Sequence, residues 1–184
     1  MRTIVSRLAP VVLLAAMRAA DLPPQNLPVM GGTGGSSFSR DCGAGRVLTG
    51  FRYRSGLVVD AIGISCRPVL ADGTLGPETT VGTIAGGSGG TTEFKSCRQG
   101  MVLVGMHMYW GSYAIKLRGY CNPWDATTRK FTSADQQGFD MGTLSIPYSR
   151  ADMEFCESKS QPASGIRGRS GAFVDALGVV CDEP

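Results

Sequence analysis

The sequence is poor in the residues on which metal and acid–base chemistry depend. It holds one histidine, His107, and its six cysteines include no Cys-x-x-Cys pair, so a zinc site lacks a ligand set. No Gly-x-Ser-x-Gly phrase marks a strained nucleophile, and no glycine loop runs into a helical pattern of the kind that phosphate binding uses. Charged residues make up only 18% of the chain. No apolar run approaches the roughly 20 residues that cross a bilayer, so insertion in a membrane is not expected. Glycine, by contrast, is abundant: 26 in 184 residues, about twice the usual share, which disfavours long helices and calls for many tight turns. A chain of this length is expected to bury one core.

The formal charge of +3 is not spread over the chain. Arg2, Arg7 and Arg18 lie in a first stretch without acids, and from Asp21 onward 15 basic residues balance 15 acidic ones. That balance speaks against a nucleic-acid partner. The cationic start, the ten-residue apolar run Leu8–Met17 and the small residues Ala15, Ala16, Ala19 and Ala20 form the three-part pattern of a secretory signal peptide over residues 1–20. Residues 21–30 (DLPPQNLPVM), with three prolines, read as an extended leader to a single body over residues 31–184. Export, to the cell exterior or a periplasm, makes disulfides the expected state of the six cysteines.

Those cysteines mark a threefold repeat. Cys42, Cys97 and Cys156 each open a segment that closes at Cys66, Cys121 and Cys181. Inside, one phrase recurs as Gly50–Cys66 (GFRYRSGLVVDAIGISC), Gly105–Cys121 (GMHMYWGSYAIKLRGYC) and Gly165–Cys181 (GIRGRSGAFVDALGVVC), the first and third agreeing at 10 of 17 positions. The simplest symmetric pairing is one bridge per unit, Cys42–Cys66, Cys97–Cys121 and Cys156–Cys181; bridges between neighbouring units are the alternative. Each unit reads as β: Val58–Ile64 and Met101–Tyr109 are short apolar or β-branched runs punctuated by glycine. Ser55-Gly56 and Ser170-Gly171 mark turns between two strands, where glycine can take positive φ. Leu70–Thr80 and Asn122–Gln137 are polar linkers that hold a further hairpin or a long loop. Three such sheets cannot each bury a face alone, so they are expected to pack around a common apolar centre.

Two further patterns carry chemistry. One is a Gly-x-x-x-Asp turn, at Gly56–Asp60 and again at Gly171–Asp175. The other is a double-glycine loop, GGTGGSSF from Gly31 and GGSGGTTEF from Gly86. A glycine loop lets main-chain N–H groups approach a ligand, and a carboxylate beside them is a compact acceptor. Together they suit a polyhydroxylated ligand whose adjacent hydroxyls both donate and accept.

On these motifs the chain resembles the jacalin-related lectins. Gly168–Val180 (GRSGAFVDALGVV) is similar to that family's last sugar-binding turn and following strand, and GGTGGSSF to its opening glycine loop. The resemblance implies an all-β, β-prism I fold of three pseudo-symmetric four-stranded antiparallel sheets, and a secreted, non-enzymatic lectin needing neither metal nor cofactor. By position it implies one site from Gly171, Ala172, Phe173 and Asp175 with Gly34 and Gly35. A second uses Gly56, Leu57, Val58 and Asp60 with Gly89 and Gly90. The middle unit departs from the pattern, with Ile115 where the aspartate belongs and Met141–Ser145 where the double glycine belongs. Two retained sites and one discarded site would look like this. The family's galactose-preferring members expose a cut glycine terminus in the first loop; here Gly31 continues from a leader, which implies glycans of the mannose or glucose type. One bridge per unit is a departure from the family and resembles instead the threefold prisms of the vitelline-membrane outer-layer proteins.

Less specific readings stand beside these. Asp60 and Asp175 could cap their turns through their own side chains. Arg54 and Arg169 could brace the loops or be solvated, and the solvated reading is favoured for Arg52 and Arg167. Trp110 and Tyr113 fall in the disabled unit, as core packing or as filling of the lost pocket. His107 reads as a packed or edge residue. A structural or interaction protein, or a secreted inhibitor, on a stapled prism is the alternative function, and assembly into a homo-oligomer is left open.

Overall fold

The short runs broken by glycine fold into strands and nothing else regular. A computed structural model describes residues 22–184, with no helix among them; the signal-peptide reading of residues 1–20 lies outside the described residues. β1 (Gln25–Asn26), β2 (Met30–Gly31) and β3 (Ser36–Asp41) come first. β4 (Arg46–Ser55), β5 (Val59–Pro68), β6 (Thr79–Gly86) and β7 (Thr91–Ser96) follow. Then come β8 (Met101–Trp110), β9 (Ala114–Asp125), β10 (Lys130–Phe131), β11 (Gln137–Gly142) and β12 (Arg150–Phe155), and finally β13 (Ala163–Ser170) and β14 (Val174–Cys181).

Each repeat supplies a long hairpin to the middle of one antiparallel sheet: β4–β5, β8–β9 and β13–β14. In the first two sheets the following strands flank the hairpin, in the orders β6-β5-β4-β7 and β11-β9-β8-β12, with the short β10 sharing the β9 edge. The third sheet takes its flanks from the N-terminal side: β3 pairs with β13, and β1 and β2 share the edge of β14. The proline-rich stretch is extended, and it lies in the sheet. Gln25 faces Cys181, Met30 faces Leu177, and the Leu27 N–H donates to the Val179 carbonyl at 3.0 Å. It stands where β6 and β11 stand in the other two sheets.

All three hairpins carry register shifts at the same two places. One lies at Leu48/Gly50, Leu103/Gly105 and Ala163/Gly165; the other, beside the turn, at Arg54/Ser55, Tyr109/Trp110 and Arg169/Ser170. A bulge bends a strand and adds twist, so each sheet curls and its concave side closes on the others. Phe51, Ile62 and Ile64 from the first hairpin, Leu103, Met106 and Leu117 from the second, and Ile166 and Leu177 from the third are fully buried in one cluster. This is the common centre expected from the repeat; each such side chain contributes about 1.5–3 kcal/mol on burial.

The bridges are Cys42–Cys66, Cys97–Cys121 and Cys156–Cys181, with Cα separations of 5.7, 5.7 and 5.8 Å. One bridge per repeat turns out to be one bridge per seam. Cys42 follows β3 of the third sheet while Cys66 lies in β5 of the first, and the other two bridges step round the prism in the same way. Polar side chains cross the seams as well, the one between the second and third sheets through Gln25 Oε1, which accepts the Glu157 N–H at 3.1 Å. Between β3 and β6, Arg40 Nε donates to the Thr83 carbonyl at 2.6 Å and Nη2 to Thr83 Oγ1 at 3.1 Å. Between β7 and β11, the buried Tyr53 hydroxyl donates to Glu93 Oε2 at 2.9 Å and accepts the Gly142 N–H. Burial, and then the Glu93 carboxylate holding its proton, push that hydroxyl above the usual tyrosine range. Arg52 is exposed, as expected, but Arg167 is not simply solvated. Its Nη2 donates to the Leu27 carbonyl at 3.0 Å, because in this sheet the N-terminal stretch runs beside the hairpin and offers an acceptor.

Candidate functional site

The turn of each hairpin faces the loop that joins the two flanking strands of the same sheet. Residues 171–173 link β13 to β14 and meet the loop of residues 32–35; residues 56–58 link β4 to β5 and meet residues 87–90. Within each turn the Gly56 N–H bonds to the Val58 carbonyl at 3.0 Å and the Gly171 N–H to the Phe173 carbonyl at 2.9 Å. The N–H groups of Leu57, Val58, Ala172 and Phe173 are then the ones the turns can offer outward. Gly56 and Gly171 do not have the positive φ expected of them. What their missing Cβ leaves is room: at Gly171 it would stand 3.7 Å from Gly35 Cα, and at Gly56 3.8 Å from Asp60 Oδ2.

Positive φ is found instead at the glycines that open each loop, Gly31 and Gly86, and at those that close it, Gly35 at φ +62° and Gly90 at φ +63°. These last two positions belong to glycine twice over. A Cβ on either would stand 2.5 Å from Oδ2 of Asp175 or Asp60, and a Cβ on Gly34 or Gly89 would overlap Oδ1 of the same carboxylate. The backbone closes the cradle from below, the Gly32 N–H donating to the Asp175 carbonyl and the Gly87 N–H to the Asp60 carbonyl, both at 2.9 Å. The sequence therefore brings Gly34, Gly35, Gly171, Ala172, Phe173 and Asp175 together in one place. It assembles Gly56, Leu57, Val58, Asp60, Gly89 and Gly90 in another, with matching geometry.

Asp60 and Asp175 are each 5% exposed, and among the described residues no N–H donates to either carboxylate. Asp60 Oδ2 is buried without a partner. The turn-capping role is thus not the one they play. A nearly buried carboxylate without a donor is costly, and a ligand hydroxyl placed between turn and loop would offset that cost.

Arg54 and Arg169 complete each cradle. Arg169 Nε donates to the Thr33 and Gly34 carbonyls at 3.0 and 2.7 Å, and its Nη2 to Gly35 at 2.6 Å. Arg54 makes the matching set to Ser88, Gly89 and Gly90 at 2.7, 2.7 and 2.8 Å. A planar fork of donors suits three converging carbonyls. The signal in the sequence was the co-variation along the repeat: the middle unit has Tyr109 at this position and also lacks the loop it would brace. Arg169→Ala should loosen the 32–35 loop alone. Backbone order parameters of Gly34 and Gly35 should fall from about 0.85 to below about 0.6 while those of Gly89 and Gly90 hold, as read by NMR relaxation. Unchanged values at Gly34 and Gly35 would count against the brace.

The middle unit replaces this polar machinery with apolar packing. Ile115 stands for the aspartate, and the loop between β11 and β12 is longer and carries Ile146, Pro147 and Tyr148. Ile115, Ile146 and Pro147 line a cavity of about 200 Å³ with Tyr113 and Val58, and Tyr109 packs edge-on against Tyr148 at 5.1 Å. His107 lies against Tyr109 at 4.3 Å; burial, then the Arg118 guanidinium, hold its imidazolium below the usual histidine range. The three turn–loop pairs crowd one end of the prism. Residue 87 abuts the Ala172 carbonyl, Gly32 lies by the Ser112 carbonyl, and Phe173 meets Tyr113 at 4.7 Å between ring centroids.

No protein-family model and no curated protein sequence matches the chain. Solved structures do. Malaysian banana lectin superposes with a TM-score of 0.61 at 18% identity, over 88% of this chain and 100% of its own. A mannose-binding jacalin-related lectin from Ananas comosus gives 0.60 at 20% identity, over 88% and 99%. Artocarpin in complex with mannotriose gives 0.57 at 13% identity, over 86% and 97%. Likeness at such identity speaks for the fold, and with three curled sheets around one core it is unambiguous: the chain is a β-prism of the type that the jacalin-related lectins share.

Proposed function

We propose that the protein is a secreted carbohydrate-binding protein, a lectin with two equivalent sites for neutral glycans of the mannose or glucose type. The observation that carries this reading is the double cradle. Asp60 with Gly89 and Gly90, and Asp175 with Gly34 and Gly35, repeat the same spacings around a nearly buried carboxylate, and Asp60 Oδ2 has no hydrogen-bond partner among the described residues. A pyranose offers adjacent hydroxyls that donate to such a carboxylate and accept from turn N–H groups. The structural neighbours are described as lectins, one of them mannose-binding and one holding mannotriose, which supports the same class of ligand. Three bridges suit an oxidising compartment, in line with export.

The test is a calorimetric titration of the oxidised protein with methyl α-mannoside in the presence of a chelator. Two equivalents are expected for the native chain, one each for Asp60→Asn and Asp175→Asn, and none for the double variant. A native protein that takes no sugar from a broad glycan array favours the scaffold reading. Sugar turnover or binding that survives in the double variant would move the function away from the cradles.

A further inference from the structure

Side chains cross two of the three seams between their flanking strands. The third is crossed beside β1, where Gln25 Oε1 accepts the Glu157 N–H at 3.1 Å, but among the described residues no side chain bridges it between β12 and β2. Arg40 reaches Thr83 between β3 and β6, and Tyr53 links Glu93 to Gly142 between β7 and β11. At the corresponding place between β12 and β2 a cleft of about 280 Å³ remains. Its floor and walls are Trp110, Arg150, Asp152 and Glu154 on one side and residues 28–31 on the other. The register explains why these side chains share the cleft. Arg150, Asp152 and Glu154 alternate along β12 and so lie on one face, where Arg150 sits directly across from Trp110. The Trp110 indole N–H donates to Asp152 Oδ2 at 2.7 Å, and the Arg150 guanidinium lies 5.6 Å from the indole centroid. The indole is thereby held in place. No hydrogen bond or ion pair within the described residues occupies Arg150 or Glu154.

We propose that this cleft is a second sugar subsite, which takes the next residue of a short neutral oligosaccharide whose first residue is bound at Asp175. The inference rests on the lectin reading above and adds the size of the ligand and a difference between the two sites. Continuity carries it: Gly31 lines the cleft and opens the loop that frames Asp175, and the neighbouring Gly32 N–H is bonded to the Asp175 carbonyl. An indole ring, a guanidinium and a free carboxylate are the groups that a pyranose uses, through its apolar C–H face and its paired hydroxyls. At the other cradle the equivalent seam is filled by Arg40 and Thr83, so an oligosaccharide at Asp60 finds no second subsite.

Calorimetry with methyl α-mannoside and linear mannotriose tests this in single-site proteins. In Asp60→Asn, where the Asp175 cradle alone remains, mannotriose is expected to bind about tenfold tighter than the monosaccharide, the gain of one charge-assisted hydrogen bond or slightly more. Adding Arg150→Ala and Glu154→Gln, both on an edge strand and outside the core, should bring that ratio close to one. In Asp175→Asn the ratio should be close to one from the start. Equal ratios in the two single-site proteins, or a ratio untouched by the cleft variants, overturn the subsite while leaving the lectin reading intact. Absence of binding to either sugar in both single-site proteins overturns the lectin reading and the subsite with it.

Discussion

Loss of one bridge through Cys97→Ala with Cys121→Ala is expected to lower the unfolding free energy by about 3.5 kcal/mol, from the entropy returned to a loop of this length. For a chain of this size that corresponds to a fall in Tm of roughly 10 °C. The structure adds a reason for the full effect to appear. Cys97 hangs from the end of β7 and Cys121 lies in β9, so the bridge also fixes one sheet against the next, where no main-chain ladder runs. Guanidinium unfolding followed by the fluorescence of Trp110 and Trp124 gives the number. A midpoint within error of the native protein's would mean that the seam is held by side-chain packing alone. Three such contributions reach about 10 kcal/mol, which is the whole stability of an ordinary domain. The fully reduced chain is therefore expected to be unfolded at room temperature.

The second large effect is local. Gly34→Ala and Gly89→Ala each place a methyl group on Oδ1 of the carboxylate beneath the loop. Neither partner can yield cheaply. The loop is held from one side by the arginine fork and from the other by its N–H bond to the aspartate carbonyl, and the carboxylate is walled in by the second glycine. The methyl group has to lift the loop or turn the carboxylate, and either movement breaks the cradle. One of two sugar equivalents should vanish, with affinity at that site down by roughly two orders of magnitude, the scale of two lost polar contacts. The fold should survive, since both loops are at the surface. Thr33→Ala, in the same loop but with an exposed side chain, is the control expected to retain both equivalents. Retention of both equivalents in Gly34→Ala would show that the loop glycines are not part of the site.

What the sequence disclosed follows from what is local in it. The cysteine intervals and the hairpins lie within stretches that can be laid over one another, so the symmetric bridges could be named from the repeat. The pairing of each turn with its glycine loop, some 140 residues apart at Asp175, came from the resemblance to the jacalin-related lectins. Other features depend on partners far along the chain. Nothing in DLPPQNLPVM has the alternation of a strand, and its partner β14 is some 150 residues away. Its place as a flank of the last sheet, and the bond it gives Arg167, emerge only when the prism closes. The same closure shifts each bridge from a unit to a seam. Arg54 and Arg169 were ambiguous because three carbonyls in a loop carry no side-chain signature. The refilling of the middle unit was half legible: Ile115 announced the loss, but Ile146, Pro147 and Tyr148 gave no sign of packing there until the longer loop was folded over it.

Both cradles open at the same end of the prism, and for the proposed lectin this has a consequence for how the molecule would behave among cells. Two proposed sugar sites that look in one direction would not by themselves hold two particles apart. A single chain would settle, end down, on one densely glycosylated surface, where the first contact raises the local concentration of ligand for the second and lengthens its stay. Clumping of cells or grains would require prisms joined back to back, whereas coating and masking of a surface require only one.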